Sequence, residues 1–312
     1  KNMLAFMPGA FESLDLSEYD LVISSCSSCS KGIITRPETL HICYCNTPTR
    51  YLWDFYHIYL NNAGLLKRLL MPHIIKKMRL WDRLAADRVD YFIANSYNVR
   101  ERISKYYRRE SKVIYPGVHI TSIPPVEKPD DYYLVVSRFT YYKRLDIAIQ
   151  ACNKLGKKLI VVGVGEEKKK LYSMAGPTIE FKGLLNDKMV RDLYRHAKAF
   201  LFPGEEDFGM TPVEAQSEGC PVLAYAKGGV LETVLNGKTG LFFSEQSVQS
   251  LVKCIELFEQ NDVEYNRKQI QMHSIGFSED MFKQQIISFC QEKYREKQER
   301  SYHLFRTEDD YQ

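Results

Sequence analysis

Short apolar runs alternate with helix-like segments along most of this 312-residue chain, and that alternation restricts the fold more than any other feature. Buried strands separated by helices are typical of α/β proteins with parallel sheets. In the first half, the predicted strands are Leu21–Ser24, Leu40–Tyr44, Tyr91–Asn95 and a closing run at Val113–Gly117. In the second half, they are Tyr132–Val136, Lys158–Val162, Ile179–Phe181, Ala199–Phe202, Pro221–Tyr225 and Gly240–Phe243. The sequence therefore predicts an α/β fold, and a chain of this length predicts two domains.

The stretch Ser122–Asp131 is rich in proline and charge, which is typical of a linker between domains. We therefore predict a first domain over residues 1–121, a linker over 122–131 and a doubly wound second domain over 132–278. A C-terminal helix that ends in a mobile tail should occupy 279–312. Doubly wound domains begin with a strand and a Gly-rich turn, and residues 1–20 contain neither, so the first domain is expected to be incomplete.

An acidic loop follows the predicted strand Ala199–Phe202 and carries two carboxylates, Glu206 and Glu214. The segment Thr211–Glu214 has the pattern of a capping box with Pro at the first helical position. Backbone amides from Phe208 to Thr211 would then face an anion at a positive helix N-terminus. This arrangement predicts a site for a phosphorylated, hydroxyl-rich ligand. The alternative is structural: Glu214 caps its own helix, and Asp207 only complements the helix dipole.

Three other predicted strands are also followed by residues suited to a ligand. Arg138 and Lys143 lie just before a helix, where a cation opposes the helix dipole unless an anion is bound there, so they suggest a phosphate clamp. The simpler alternative is a pair of exposed basic residues. Gly163 and Gly165 would allow close backbone approach, but the third glycine of the dinucleotide fingerprint is absent, which argues against a dehydrogenase or epimerase.

The next such loop holds Lys227-Gly228-Gly229, with Glu232 at the following helix start. Ligands of open α/β sheets bind at the carboxyl ends of the strands. Four loops at this edge together favour a nucleotide diphosphate.

These motifs resemble the family 4 retaining glycosyltransferases of GT-B architecture. The resemblance rests on Ser137-Arg138…Lys143, Glu206-Asp207-Phe208-Gly209-Met210…Glu214, Gly228-Gly229…Glu232 and Asn236-Gly237…Thr239-Gly240, and it extends to Ala94-Asn95-Ser96 and Tyr115-Pro116-Gly117-Val118. The segment Cys43–Asp54 is similar to a bacterial polysaccharide-assembly subgroup that includes GDP-mannose-dependent mannosyltransferases. The resemblance implies two Rossmann-like doubly wound domains, with the last helix returning to the first one.

The resemblance also implies a role for each site residue. Arg138 and Lys143 would neutralise the diphosphate of the donor as the glycosidic bond breaks. Glu206 would contact hydroxyls of the donor sugar, and Glu214 would accept hydrogen bonds from the ribose. Further contacts to the donor would come from Gly163, Gly165, Gly209, Met210 and Thr211. The implied reaction transfers a hexose, with retention, from GDP-mannose or alternatively a UDP-sugar to a lipid-linked or saccharide acceptor. It requires no metal ion and no further cofactor.

Two departures from the family pattern motivate an alternative function. Asn46 stands where the family has a histidine beside the donor sugar, and Ser27 stands where the subgroup has another. An asparagine can hydrogen-bond a hydroxyl but cannot exchange a proton near neutral pH. Together with the absent N-terminal segment, these residues suggest a non-catalytic nucleotide-sugar-binding protein or assembly partner.

A basic, amphipathic stretch spans residues 65–88. It contains only two acidic residues, Asp82 and Asp87, against the cations Lys67, Arg68, Lys76, Lys77, Arg79, Arg83 and Arg88. The stretch is predicted either to lie on an anionic membrane or to form an ordinary pair of surface helices broken at Pro72. No nucleic-acid-binding module accompanies it, so nucleic acid is not an expected partner.

The eight cysteines and the start of the chain bear on location. The spacing of Cys26, Cys29, Cys43 and Cys45 allows a zinc site, but buried free thiols are the commoner outcome, and no metal site is predicted. The first apolar stretch is interrupted by Pro8 and does not resemble a signal peptide. Free cysteines without a secretory signal predict a reducing cytoplasm, with peripheral contact at the inner membrane face.

Overall fold

The computed structural model describes residues 6–61, 64–260 and 265–309. They form two compact units. The N-terminal unit comprises Lys1–Tyr115 and Lys283–Gln312, and the C-terminal unit comprises Pro116–Phe282. The division falls before the predicted linker, and Asp130 of that linker donates its backbone N–H to the carbonyl of His196 (2.8 Å).

The N-terminal unit contains a four-stranded parallel sheet whose strands lie in chain order. The strands are β1 (Leu21–Cys26), β2 (Leu40–Cys45), β3 (Tyr91–Ala94) and β4 (Ser111–Val113). The helices are α1 (Met7–Glu12), α2 (Tyr56–Asn61), α3 (Leu65–Asp87), α4 (Tyr97–Tyr107) and α12 (Glu279–Asp309), which begins in the C-terminal unit. The first three predicted strands of this half start at the predicted residue and end within two residues of the prediction, whereas β4 shares only Val113 with the predicted run Val113–Gly117.

Alternation along the strands builds the core of this unit. Cys43 of β2 and Phe92 of β3 point to one face, where Val99, Ile103 and Tyr107 of α4 pack against them. The spacing of these three residues repeats with the helical period, so α4 presents one apolar face.

The basic stretch forms one helix rather than a broken pair. α3 continues through Pro72, so the alternative of two helices broken at Pro72 is wrong. A proline inside a helix removes one backbone donor, and the remaining turns hold the helix together. No helix among the described residues combines the length and the apolar character needed to cross a membrane.

The C-terminal helix is longer than the predicted ordered part. The backbone of α12 is helical to Asp309, and residues 310–312 of the predicted mobile tail lie outside the described residues. Within the N-terminal unit, the ring of Phe289 on α12 packs edge-on against Tyr91, with ring centroids 6.2 Å apart.

The C-terminal unit is a six-stranded parallel sheet with the order β10-β9-β8-β5-β6-β7. Its strands are β5 (Tyr133–Val136), β6 (Leu159–Val162), β7 (Ile179–Gly183), β8 (Ala199–Phe202), β9 (Val222–Tyr225) and β10 (Gly240–Phe243). Its own helices are α5 (Leu145–Leu155), α6 (Lys168–Ser173), α7 (Asp187–His196), α8 (Met210–Ser217), α9 (Val230–Thr233), α10 (Val248–Gln260) and α11 (Arg267–Ser274). The strand order runs outward from β5 in one direction and then from β8 in the other, which is the doubly wound arrangement.

Helices cover both faces of this second sheet, so its strands are apolar on both sides. Tyr133 and Val135 of β5 pack with α5 and α10, whereas Leu134 of the same strand packs on the opposite face with Tyr194 of α7. This burial on two faces explains why the strands read as continuous apolar runs. The predicted α/β fold with two Rossmann-like units is confirmed.

Candidate functional site

The reversal of strand order in the C-terminal unit fixes where a ligand would bind. β5 lies between β8 and β6, so the crossover loops after β5 and β8 leave the sheet in opposite directions. A crevice forms outside the carboxyl ends of two such strands, and it is the usual ligand site of open α/β sheets. The loop after β5 carries Arg138 and Lys143, and the loop after β8 carries Glu206.

Lys143 and Glu206 meet across this switch point. The ammonium group of Lys143 forms an ion pair with Oε1 of Glu206, and both side chains remain about one-fifth exposed (19% and 21%). Lys143 ends a short 3-10 helix over Tyr141–Lys143, and its ammonium lies 5.6 Å from the ring of Tyr142. The pair is thus held in place yet open to a ligand that would compete for either partner.

Arg138 is also at this edge but is exposed. Among the described residues, its guanidinium forms no ion pair, whereas the neighbouring Arg144 is already bound to Asp146 (3.0 Å). Arg138 is therefore the cation of this loop that is available to an anionic group.

Glycines after β6 pack against the loop after β5. A Cβ on Gly163, which has φ +135°, would lie 1.9 Å from the carbonyl oxygen of Ser137. A Cβ on Gly165 would lie 2.4 Å from the carbonyl oxygen of Phe139. These glycines allow two loops of the protein to approach each other. The sequence predicts that both glycines let a ligand approach the backbone. The structure shows that they also let the loop after β6 pack against the loop after β5.

A second glycine pair supports the acidic loop. Gly228 forms a bridge with Glu206, and the N–H of Gly229 donates to the carbonyl of Glu206 (2.9 Å). A Cβ on Gly228 would lie 2.3 Å from that carbonyl oxygen. Beside them, the ammonium of Lys227 pairs with Glu205 (3.1 Å). The loops after β8 and β9 are thereby fixed to each other and hold the Glu206 backbone in position.

The helix after the acidic loop starts earlier than predicted. α8 begins at Met210 with Gly209 as its N-cap (φ +87°), and no side chain caps it. Two predictions are therefore wrong: a capping box over Thr211–Glu214, and Pro212 at the first helical position. The backbone of Gly209, which has a positive φ, starts the helix before Thr211. Pro212 occupies the third helical position, where its missing N–H would have had no partner within the helix. The amides of Met210 and Thr211 still lie at the helix N-terminus.

Glu214 lies on α8 and points to Tyr194 instead of capping the helix. The phenol of Tyr194 donates to Oε2 of Glu214 (3.4 Å). Burial raises the pKa of Glu214 above its usual value, and the hydrogen bond from Tyr194 and the charge of Arg191 oppose this only in part. The oxygens of this half-buried carboxylate can accept hydrogen bonds from hydroxyl donors such as a ribose diol.

Asn46 belongs to the N-terminal unit, where it follows β2. Its side-chain amide donates to Oγ of Ser25 (3.1 Å), and its backbone N–H donates to the backbone carbonyl of Cys26 (2.8 Å). Its backbone carbonyl accepts from the side-chain amide of Asn95 (3.0 Å). Ser27 is exposed in the loop after β1. Both positions therefore lie at the carboxyl edge of the N-terminal sheet.

The four cysteines that could have bound zinc are buried, and none of these described residues forms a disulfide. Cys26 donates to the carbonyl of Ser28 (3.3 Å), and a hydrogen bond with Cys43 lowers the pKa of the Cys26 thiol below its usual value. In the described part of the chain, no three His, Cys, Asp or Glu side chains are grouped as metal ligands.

Two structural features, one in each unit, were not predicted from the sequence. Gly204 packs on the backbone of Lys143, with its Cβ position 3.1 Å from Cα of Lys143, and so sets the spacing between the loops after β5 and β8. Asp82 was counted among the surface charges of the basic helix, but it is completely buried with Lys31. Its helical spacing from the buried residues Ile75, Met78 and Ala85 could have indicated this.

Comparison with known proteins agrees with this geometry. Residues 121–273, which contain the switch-point loops, match the family described as "Glycosyl transferases group 1". The architecture of the chain is that of the GT-B glycosyltransferases.

Two curated relatives illustrate the range of sequence similarity. A glycogen synthase of Xanthomonas axonopodis pv. citri is 29% identical over 143 residues, which are 42% of this chain and 29% of that protein. An uncharacterized glycosyltransferase of Methanocaldococcus jannaschii is 25% identical over 253 residues, or 75% of this chain and 71% of that protein. The alignment with the glycogen synthase thus spans less than a third of its length.

Solved structures share the fold. HepE from Anabaena, in complex with UDP and glucose, has a TM-score of 0.63 at 21% identity and covers 80% of this chain and 77% of its own. Sucrose-phosphate synthase from Thermosynechococcus elongatus has a TM-score of 0.71 at 17% identity, with 89% and 74% covered. At such identities the likeness establishes the fold alone.

Proposed function

We propose that this protein is a retaining glycosyltransferase that moves a hexose from a nucleotide-sugar donor to a lipid-linked or saccharide acceptor in cell-surface polysaccharide synthesis. One observation carries the proposal: the Lys143–Glu206 ion pair, with the exposed Arg138 on the same loop as Lys143, lies at the switch point of the segment that matches the group 1 glycosyl transferases. Two cations and one carboxylate at that place match a ligand with a diphosphate and several hydroxyls.

Each residue has a distinct task in this proposal. Lys143 and Arg138 balance the charge that grows on the diphosphate as its bond to the sugar breaks. The amides of Met210 and Thr211 add hydrogen bonds at the helix N-terminus. With the diphosphate bound, Lys143 turns to its oxygens, and Glu206 becomes free to accept hydrogen bonds from the sugar. No step assigned to these residues calls for a metal ion.

Asn46 and Glu214 complete the proposed contacts. Glu214 accepts hydrogen bonds from the ribose, and Asn46 hydrogen-bonds a hydroxyl of the donor sugar. The resemblance favours GDP-mannose as donor. The neighbours HepE, solved with UDP and glucose, and a pneumococcal O-GlcNAc transferase, solved with UDP and GlcNAc, make UDP-sugars the alternative.

A lipid-linked acceptor would lie in a membrane, and the exposed face of α3 is suited to membrane contact. The outer face of α3 exposes Lys76 and Lys77 next to Leu80 and Leu84, whose side chains are 65% and 53% exposed. Cations next to exposed leucines suit a surface of anionic lipid. Leu65, Leu66, Lys67, Leu69 and Leu70 were also part of this prediction, but their side chains lie outside the described ones. We place the enzyme at the inner face of the cell membrane.

Turnover of sugar nucleotides tests the proposed function. The purified chain is incubated with GDP-mannose, UDP-glucose or UDP-GlcNAc and with membrane extract as the acceptor source, and released nucleotide is measured. We expect release with one donor and its loss in Glu206→Gln. Glu180→Gln, which removes a carboxylate from an exposed pair with Lys182 on β7, is the matched control.

Calorimetry with GDP and UDP separates the alternatives. Nucleotide binding without turnover by any donor would support the non-catalytic binding protein, for which Asn46 in place of a histidine is the motivating observation. Absence of both binding and turnover would contradict the donor site itself.

A further inference from the structure

An ion pair is enclosed in the N-terminal unit, where it contacts the loops that follow β1 and β2. Lys31 lies in the short 3-10 helix Ser30–Gly32 after β1, and Asp82 lies on the inner face of α3. Their Nζ and Oδ1 atoms are 2.5 Å apart, and each side chain is only 1% exposed. Burial alone would lower the pKa of the Lys31 ammonium, but the charge of Asp82 raises it above its usual value, so the ammonium stays charged.

The Asp82 carboxylate collects donors from two loops. Oδ1 accepts from Lys31 and from Oγ1 of Thr49 (2.9 Å), and Oδ2 accepts from the indole N–H of Trp53 (2.8 Å). Lys31 donates in addition to the carbonyl of Ser28 (2.8 Å). Thr49 and Trp53 belong to the loop after β2, and Ser28 and Lys31 belong to the loop after β1. One carboxylate therefore connects α3 to both loops.

The two loops are also bonded to each other. The hydroxyls of Ser28 and Tyr51 are 2.7 Å apart, and Oγ1 of Thr49 lies 3.4 Å from the carbonyl of Ser28. Because β1 and β2 are parallel neighbours, both loops leave the same carboxyl edge of the sheet. They carry Asn46, which is expected beside the donor sugar, and Ser27, which stands where the subgroup has a histidine.

A buried ion pair is a poor way to gain stability. Apolar residues of similar volume often stabilise a fold as much or more, because charges lose their hydration on burial. An apolar pair, however, offers no acceptor to the indole of Trp53 and the hydroxyl of Thr49, and no donor to the carbonyl of Ser28. The feature that such residues would not reproduce is the orientation of the two loops.

We propose that Lys31 and Asp82 are positioning residues that order the loops 27–32 and 46–53 for substrate binding. This inference rests on the proposed glycosyltransferase function. The pair touches no substrate itself and acts through the loops that carry Ser27 and Asn46.

The test replaces the pair as a unit. Lys31→Met with Asp82→Leu removes both charges and avoids leaving one of them buried alone. The control is Arg83→Gln with Asp87→Asn, an exposed pair on the same helix. Thermal unfolding, hydrogen exchange of the loop amides, nucleotide affinity and turnover are measured for each protein. Thr49→Val and Trp53→Phe, each of which removes one donor to Asp82, take the place of the double variant if it does not fold.

The proposal predicts a folded double variant with unchanged affinity for GDP or UDP, because the switch-point residues lie in the other unit. Exchange in both loops should be at least about tenfold faster, and kcat/KM for the donor should be about tenfold lower, because Asn46 is no longer held in place to contact the donor sugar. Folded variants with unaltered loop exchange would overturn the proposal, as would loosened loops with wild-type turnover. A wild-type chain without turnover contradicts the proposed function instead, and loop exchange alone then decides whether the pair orders the loops.

Discussion

Lys143 and Glu206 form an ion pair across the point where the strand order of the C-terminal sheet reverses. One follows β5 and the other follows β8, so the pair spans the crevice in which a ligand of this fold binds. The two groups neutralise each other until a ligand arrives. A diphosphate attracts Lys143, and a sugar hydroxyl donates to Glu206, so a nucleotide-sugar offers partners to both.

Lys143→Ala should weaken the binding of GDP or UDP by about 10- to 100-fold, because a charge-assisted hydrogen bond is lost. Isothermal titration calorimetry measures the change. Lys170→Ala removes a lysine paired with Glu167 on α6 and serves as the control. Equal affinities for the wild type and Lys143→Ala would rule out a diphosphate contact at this residue.

Glu206→Gln should separate nucleotide binding from turnover. The neutral amide releases Lys143, so GDP or UDP should bind as tightly as to the wild type, or more tightly. Turnover should nevertheless fall by about 100-fold or more, because the donor sugar loses a group that orients it. Parallel calorimetry and nucleotide-release assays test both parts. A matching loss of nucleotide affinity would show that Glu206 acts on the diphosphate side of the site.

Gly228→Ala and Gly237→Ala form a matched comparison. Their φ angles are similar (+81° and +75°), but a Cβ at Gly228 meets the Glu206 carbonyl, whereas a Cβ at Gly237 meets nothing within 4 Å. Gly237→Ala should lower the free energy of unfolding by about 1 kcal/mol, the cost of a left-handed alanine. Gly228→Ala should cost about 2 kcal/mol more through the clash. Urea unfolding gives both values, and equal losses would contradict the close packing of the two loops.

Glu214→Gln should stabilise the fold at neutral pH while weakening nucleotide binding by about tenfold. The folded-state pKa of Glu214 is raised, so the folded protein binds this proton more tightly than the unfolded chain does. Stability therefore falls as pH rises from the unfolded pKa through the folded one, and the cost persists above that range. At pH 7 the midpoint of thermal unfolding should be higher for the variant than for the wild type, and at pH 4 the two midpoints should be nearly equal. A midpoint at pH 7 below that of the wild type would contradict the sign.

The exposed face of α3 can be tested on vesicles. Lys76→Gln with Lys77→Gln should reduce binding to phosphatidylglycerol vesicles by about 30-fold, at about 1 kcal/mol for each lysine. Flotation assays measure the bound fraction, with phosphatidylcholine vesicles for comparison. The control is Lys168→Gln with Lys169→Gln, which removes the same number of positive charges from α6. Similar losses for both double variants would mean that net charge, rather than the α3 face, drives binding.

Local patterns predicted most of the fold. The strands at Ala199–Phe202 and Gly240–Phe243 were found with their exact bounds, because buried parallel strands are continuous apolar runs closed by Gly, Pro or polar residues. The helix starts were harder to predict. The capping-box pattern at Thr211 is local, but the backbone of Gly209 had already begun the helix.

Candidate site residues were predicted from their place after a strand, but their partners were not. Arg138, Lys143 and Glu206 follow strands, which the sequence shows. That Lys143 reaches Glu206 depends on β5 lying beside β8, a pairing between distant segments that carries no local signal. Asp82 also appeared to be a surface charge, and only the packing of α3 on the loops after β1 and β2 places it inside.

The sequence by itself determined an α/β chain in two parts, with basic, acidic and glycine residues at the ends of its strands. Those features follow from periodicity and spacing, which act over a few residues. The tertiary structure decided which strands are neighbours, and through them that Lys143 pairs with Glu206, Gly228 with the Glu206 backbone, and Lys31 with Asp82. Such contacts form only when distant segments pack, so their geometry depends on the whole sheet rather than on any one motif.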